Sequence, residues 1–188
     1  MTLFNKTISI IGGTGHVGLP LGLALADKNF KIQLIDINND SINKVNNGVM
    51  PFLEDGAEKI LKKNIRKKNI FASNDHKLIT KGKYIIVCIG TPVNKKLVPE
   101  IKSFLNFFKF LNKIISNDHI IIVRSSVFPG VNDKIYNILN NKNISYCPER
   151  IVQGKSLKEL PKLPQIISGY TDTSILHSKK YLKKFQVN

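Results

Sequence analysis

The sequence predicts an α/β fold, a doubly wound and mostly parallel sheet forming a single domain. Three observations carry that prediction. Short apolar runs alternate with amphipathic helical patterns down most of the chain, the mark of parallel strands joined by crossover helices. Several runs are apolar on consecutive residues, as in Ile85-Ile86-Val87 and Ile120-Ile121-Ile122-Val123, which suits strands covered on both faces. A glycine-rich turn separates the first run from the first helical segment. The 188 residues leave room for one such domain and not for two of full size.

In chain order, strands are predicted at 7–11, 31–35, 84–89, 119–124 and 144–147, with weaker ones at 70–72 and 165–168. Each is a run rich in Ile, Val or Leu and short enough to be a strand. Helices are predicted at 17–28, 41–47, 57–68, 101–115 and 131–140, where apolar residues recur at spacings of three and four. Residues 154–164 hold Pro161 and Pro164 and read as a loop or a short irregular helix. Pro20 falls early in the first long helix, beyond its first turn if the helix starts at Val17, and has no local physical explanation.

Lys and Arg together number 29 against 13 Asp and Glu, a formal charge of +16. A charge of that size attracts polyanions, but its pattern argues against nucleic acid. Only Arg66, Arg124 and Arg150 carry the guanidinium fork that phosphate and base recognition favours. The densest run, from Lys59 to Lys68, alternates with Ile60, Leu61 and Ile65 at helical spacing and reads as the wet face of an amphipathic helix. No aromatic residue is interleaved there to stack a base. The two cysteines, Cys88 and Cys147, make neither a disulfide framework nor a metal-ligand cluster. No apolar stretch reaches the roughly 18 residues that span a bilayer, and the first strand starts too early for a leader peptide ahead of it. The expectation is a cytoplasmic protein with no membrane, nucleic-acid or metal partner.

The strongest local signal is Gly13-Thr14-Gly15-His16-Val17-Gly18, a G-x-G-x-x-G between a strand and a helix. In that pattern the first glycine permits a tight turn, the second lets backbone approach a pyrophosphate, and the third lets helix and strand pack closely. The helix N-terminus then presents unpaired N–H groups to the anion, so His16 and Val17 join the glycines as cofactor-contacting positions. His16 has no orienting partner in the sequence and is not read as a base. Asp36 ends the second strand, 21 residues after Gly15, where an acid accepts hydrogen bonds from the adenosine ribose. A carboxylate there repels a 2′-phosphate. The pattern predicts a Rossmann-like domain that binds NAD in preference to NADP. The competing reading of Asp36 is a cap on the following helix.

Further motifs follow in order: Gly18-Leu19-Pro20-Leu21, then Asn47-Gly48 with Pro51-Phe52-Leu53-Glu54, then Gly90-Thr91-Pro92. Arg124-Ser125-Ser126-Val127-Phe128-Pro129-Gly130 and Cys147-Pro148-Glu149-Arg150-Ile151 complete the set. Together they resemble the nucleotide-sugar dehydrogenases of the UDP-glucose and GDP-mannose dehydrogenase type. The Cys-Pro-Glu-Arg form resembles the UDP-N-acetylmannosamine branch more than the UDP-glucose branch. The resemblance covers nearly the whole chain. It implies that Thr91 and Ser126 offer hydroxyls to the cofactor, with Ser126 standing where relatives usually carry Thr. It also implies that Glu149 is the acid that activates water or transfers a proton, and that Arg150 orients it or meets substrate. An ion pair at a strand end is the alternative for Glu149. Glu54 falls near the cofactor and substrate edge by resemblance, and reads as a solvated loop acid by local pattern. Gln153 stands where some relatives have a second acid.

The family's reaction takes a UDP-sugar's primary alcohol to a carboxylate by two hydride transfers to NAD. It uses a nucleophilic cysteine, a lysine and an asparagine that lie beyond the region matched here. Cys147 stands where relatives often carry Asn and is not that nucleophile. Residues 1–188 are therefore expected to be the NAD-binding domain, with the central helix and the UDP-sugar domain absent. Alone, the chain is expected to be inactive, and UDP-sugar is a partner only with the missing half. The family pairs through the missing helix, so a homodimer or a complementing chain is a possible partner. A non-catalytic dinucleotide-binding or interaction module is the second reading.

Overall fold

The computed structural model describes residues 3–91 and 100–183. Pro92 of the third motif lies outside the described residues. Seven strands form one sheet in the order β3-β2-β1-β4-β5-β6-β7. They are β1 (Thr7–Ile11), β2 (Lys31–Ile35), β3 (Ile70–Ser73), β4 (Tyr84–Val87), β5 (Ile120–Val123), β6 (Ile144–Tyr146) and β7 (Ser168–Gly169). The first six run parallel and β7 is antiparallel to β6. The strand order reverses between β1 and β4, and a crevice opens at that switch point, beyond the strands' carboxyl ends.

Alternation within each strand explains why the apolar runs are continuous. Ile120 and Ile122 of β5 join one core layer, and Ile121 and Val123 join the other. Ile86 of β4 divides in the same way from Ile85 and Val87. One layer is closed by α2 (Gly18–Asp27), α3 (Asn39–Asn46) and α4 (Ala57–Arg66), which contribute Leu19, Leu23, Ile42, Val45 and Leu61. The other is closed by α5 (Ile101–Ile114) and α6 (Val131–Ile138) through Phe104, Phe108, Leu111, Val131 and Ile135. Such double cover is what a parallel sheet requires. On α4 Leu61 is buried while Lys59, Lys62, Lys63 and Arg66 are exposed, so the densest basic run is a helix's wet face.

The other elements among the described residues are α1 (Leu3–Lys6), a 3₁₀ turn (His76–Lys81), α7 (Ser156–Glu159) and α8 (Asp172–Leu182). The 3₁₀ turn escapes helical periodicity because it is set locally, by the Asp75 carboxylate accepting from the Lys77 amide at 2.9 Å. The weak seventh strand is shorter and later than expected, two residues at 168–169 rather than 165–168. The stretch before it contains Pro161 and Pro164, which cannot donate to a ladder. Pro20 also finds its explanation. Because α2 begins at Gly18, Pro20 lies inside the first turn, where proline's fixed φ is tolerated, and the flanking Leu19 and Leu21 amides still donate to the Gly15 and Val17 carbonyls at 3.0 and 3.3 Å.

The two-sided core predicts a gradient of sensitivity across the sheet. Ile122→Ala, in a fully buried central strand, is expected to lower unfolding free energy by about 2–5 kcal/mol. Phe71→Ala, on the edge strand and 41 % exposed, should cost less than about 1.5 kcal/mol. Urea denaturation of both variants checks the ranking, and equal losses would contradict it.

Candidate functional site: a divided cleft at the switch point

The glycine turn is built by collision avoidance. Gly12, one residue before the motif, takes φ +72° and is the position where the backbone needs left-handed freedom. Its amide and that of Gly13 both donate to the Ile35 carbonyl, at 2.9 and 3.2 Å. The tight turn read at Gly13 therefore belongs to Gly12. Gly13 is required for space, since a Cβ there would come within 2.7 Å of the Leu34 Cα on β2. A Cβ on Gly18 would lie 2.4 Å from the Gly12 carbonyl oxygen, so α2 could not approach the turn. Gly15 differs from both. A Cβ there would meet only the Gly12 carbonyl oxygen, at 3.4 Å, and its open side faces the cleft.

Val17 is the N-cap of α2 and no side chain caps the helix. The Leu19 amide is already taken by the Gly15 carbonyl at 3.0 Å, so the amides ahead of it, at the mouth of the helix, are the ones left for an anion. Asp36 reaches into the same turn. Its Oδ2 accepts from the Thr14 amide at 2.9 Å, and its Oδ1 accepts from Ile37 and Asn38 amides at 2.8 and 3.1 Å. The helix cap proper is Asn38, whose Oδ1 accepts from the Ser41 amide at 3.1 Å. A carboxylate has about four acceptor positions, so three donors fix Asp36 and still leave room for another on Oδ2.

The crevice has two compartments. The first, about 350 Å³, is lined by Gly15, Asp36, Ile37, His76, Ile89 and Phe107 among others. The second, about 260 Å³, is lined by His16, Val17, Thr91, Arg124, Ser126 and Glu149 together with Gln153 and Ser156. Cys88, Ile89 and Gly90 border both. The glycine turn separates the compartments, so one ligand can cross it and occupy both. His76 and Phe107 were invisible as site residues in sequence, for they come from the unforeseen 3₁₀ turn and from a core helix.

Thr91 and Ser126 meet at the second compartment. The Thr91 hydroxyl donates to the Ser126 carbonyl at 2.7 Å, joining the loops after β4 and β5. The Ser125 hydroxyl turns inward to the Val87 carbonyl at 3.3 Å, leaving Ser126 as the exposed hydroxyl of the pair. Glu149 is an ion-pair partner, but not of its neighbour in sequence. Its Oε2 pairs with Arg124 Nη2, both side chains being almost fully buried, and its Oε1 accepts from the Arg150 amide at 2.9 Å. Arg124 Nη1 also donates to Gln165 Oε1 at 3.1 Å. Arg150 points elsewhere, donating through Nη2 to the Pro164 carbonyl. The residue that orients Glu149 is therefore Arg124, and the orienting role expected of Arg150 is not what the geometry shows.

Neither cysteine is poised as a nucleophile. Burial pushes the Cys88 thiol up to about 12 and the Cys147 thiol up to about 11. Among the described residues no three His, Cys, Asp or Glu gather as a metal site, and no helix is long and apolar enough to cross a membrane.

A turn that offers backbone to an anion, an acid at the end of β2 and a cleft spanning the switch point define a dinucleotide-binding domain of the Rossmann class. Comparison with known proteins makes this specific. Residues 6–185 match the UDP-glucose/GDP-mannose dehydrogenase family, NAD binding domain, and the chain belongs to that family. A UDP-N-acetyl-D-mannosamine dehydrogenase from Methanococcus maripaludis is 30% identical over 185 residues, covering 96% of this chain and 42% of that protein. A UDP-glucose 6-dehydrogenase from Bacillus subtilis is 24% identical over 189 residues, covering 96% and 43%. The solved structure of a UDP-D-ManNAc dehydrogenase from Pyrococcus horikoshii superposes with a TM-score of 0.87 at 21% identity, covering 96% of this chain and 45% of that one. That likeness establishes the fold. The chain spans less than half the length of these relatives.

The glycines separate folding from binding. Gly18→Ala is expected to unfold or strongly destabilise the domain, because its Cβ meets backbone. Gly15→Ala should keep the wild-type melting temperature within a few degrees yet weaken NAD binding about ten-fold or more, the methyl standing where the pyrophosphate approaches. Calorimetric melting and titration of both variants check this, and a Gly15→Ala protein with full affinity would remove that position from the site.

Proposed function

We propose that this chain is the cofactor-binding half of an NAD-dependent dehydrogenase that oxidises the C6 alcohol of a UDP-sugar, of the UDP-N-acetylmannosamine or UDP-glucose type, to a uronic acid. The observation that carries the proposal is the meeting of three features in one crevice: the open side of Gly15, the uncapped start of α2 and the fixed carboxylate of Asp36. When bound, NAD supplies the hydride acceptor. The residues present fit it, with a ribose partner at Asp36, an anion-binding turn at Gly13 to Gly18, and hydroxyls at Thr91 and Ser126.

Asp36 sets the direction of the cofactor. The adenosine belongs to the compartment that holds Asp36, Ile37 and Phe107, and the reactive end to the compartment that holds Thr91, Ser126 and Glu149. Because three backbone amides hold Asp36 in place, its negative charge cannot swing away from a 2′-phosphate, and NADP is disfavoured. His16 packs tilted against Phe52 with ring centroids 4.0 Å apart, which gives it a packing role at the turn. Glu149 acts at the reactive end as the acid for water activation or proton transfer, with Arg124 holding its carboxylate. Arg150, exposed one residue beyond Glu149, is the cation left to meet the sugar nucleotide. The lysine, asparagine and cysteine required for turnover, and the UDP-binding surface, would come from a second half, whether continuous with this chain or supplied by a complementing one. We place the working protein in the cytoplasm, where NAD and nucleotide sugars are both present.

The expected behaviour of the 188-residue chain is binding without turnover. Isothermal titration should show NAD bound at least ten-fold more tightly than NADP, a preference reduced by Asp36→Ala, which itself weakens NAD about ten-fold through loss of a charged hydrogen bond. Mixed with NAD and UDP-N-acetylmannosamine, the chain should produce no NADH. Equal affinity for NAD and NADP would contradict the role of Asp36, and steady NADH formation would contradict the need for a second half.

A further inference from the structure

We propose that Glu54 is a positioning residue for the reactive end of the cofactor, through a strap formed by residues 51–56 that braces the cleft from outside. The inference rests on the assignment of the cleft to NAD and goes beyond it in naming what holds one compartment open. Glu54 is 6 % exposed, so the solvated loop acid of the local pattern is excluded. Among the described residues, its side-chain hydrogen bonds run to a segment about a hundred residues later. Oε2 accepts from the Gly154 amide at 3.1 Å and from the Ser156 hydroxyl at 3.0 Å, and Oε1 accepts from the Leu157 amide at 3.3 Å. The neighbouring Asp55 amide donates to the Gly154 carbonyl at 3.1 Å, and Lys158 closes on the Asp55 carboxylate.

The segment so held is a wall of the second compartment, which Gln153 and Ser156 line. It turns sharply at Gly154, with φ +86°, into the single-turn helix α7. A four-residue helix cannot stabilise itself, and the Glu54 carboxylate accepts from the half-buried amides of Leu157 in its first turn and of Gly154 just before it. The other end of the strap touches the glycine turn, where the Phe52 ring packs tilted against His16. One short segment therefore ties the pyrophosphate turn to the wall around the reactive end, and the buried carboxylate is its anchor. The adenosine compartment, with Asp36 and Phe107, receives no contact from this anchor.

That asymmetry gives the test. In isothermal titrations of the 188-residue chain with NAD and with ADP, Glu54→Ala is expected to weaken NAD about ten-fold while ADP, which fills only the adenosine side and the turn, changes less than about two-fold. Glu54→Gln should fall between wild type and Glu54→Ala, because one carbonyl oxygen still accepts. Should Glu54→Ala fail to fold, Ser156→Ala removes a single donor and should still weaken NAD more than ADP. Equal losses of NAD and ADP, or no loss of either, would overturn the positioning role. If the wild-type chain binds neither nucleotide, the assignment of the cleft itself fails, a result distinct from failure of the strap.

Discussion

The close seating of the glycine turn between β1, β2 and α2 is the constraint on which the rest of this structure depends. Two amides of the turn share the Ile35 carbonyl, and any side chain at Gly13 or Gly18 would strike backbone. This proximity brings the start of α2 to the carboxyl edge of the sheet and puts the Thr14 amide within 2.9 Å of Asp36. The acid thus has two tasks in one geometry. It closes the turn from the β2 side, and it presents a fixed negative charge to the cleft.

A second layer of constraint acts at the other compartment. There the strands end without glycines, and buried ionic groups do the ordering. Arg124 on the β5 end holds Glu149 on the β6 end and Gln165 beyond it, while Glu54 holds the turn between them and α7. Charges removed from water are tolerable only when each is paired or hydrogen-bonded; both carboxylates are so held, and Arg124 is paired through its two terminal nitrogens while its Nε is buried without a partner. Breaking one would leave the other uncompensated, which makes the arrangement rigid, as a site that aligns a cofactor against a substrate requires.

What was legible in the sequence was what is local. The glycine motif, Asp36 and the strand cores are set by spacings of a few residues or by continuous apolar runs, and the structure places them as read, apart from the tight turn falling on Gly12. The partner of Glu149 was not legible, because Arg124 lies 25 residues away and becomes a neighbour only through the pairing of β5 with β6. Arg150 is adjacent in sequence, but the backbone turns its side chain toward Pro164. Glu54 was misread locally for the same reason: its donors arrive from a turn that no pattern near residue 54 announces. His76 and Phe107 join the cleft from elements whose own signals were of capping and of core packing.

In the proposed complex one NAD molecule crosses the glycine turn from Asp36 to the compartment of Thr91, Ser126 and Glu149. Titration of the ¹⁵N-labelled chain with NAD, followed by amide chemical shifts, tests it most directly. Saturable shifts are expected at Gly13 to Gly18, at Ile37, and at Thr91 and Ser126, with the amides of the lysine-rich α4 unmoved. Shifts confined to α4 and its neighbours, or a spectrum unchanged by millimolar NAD, would contradict it.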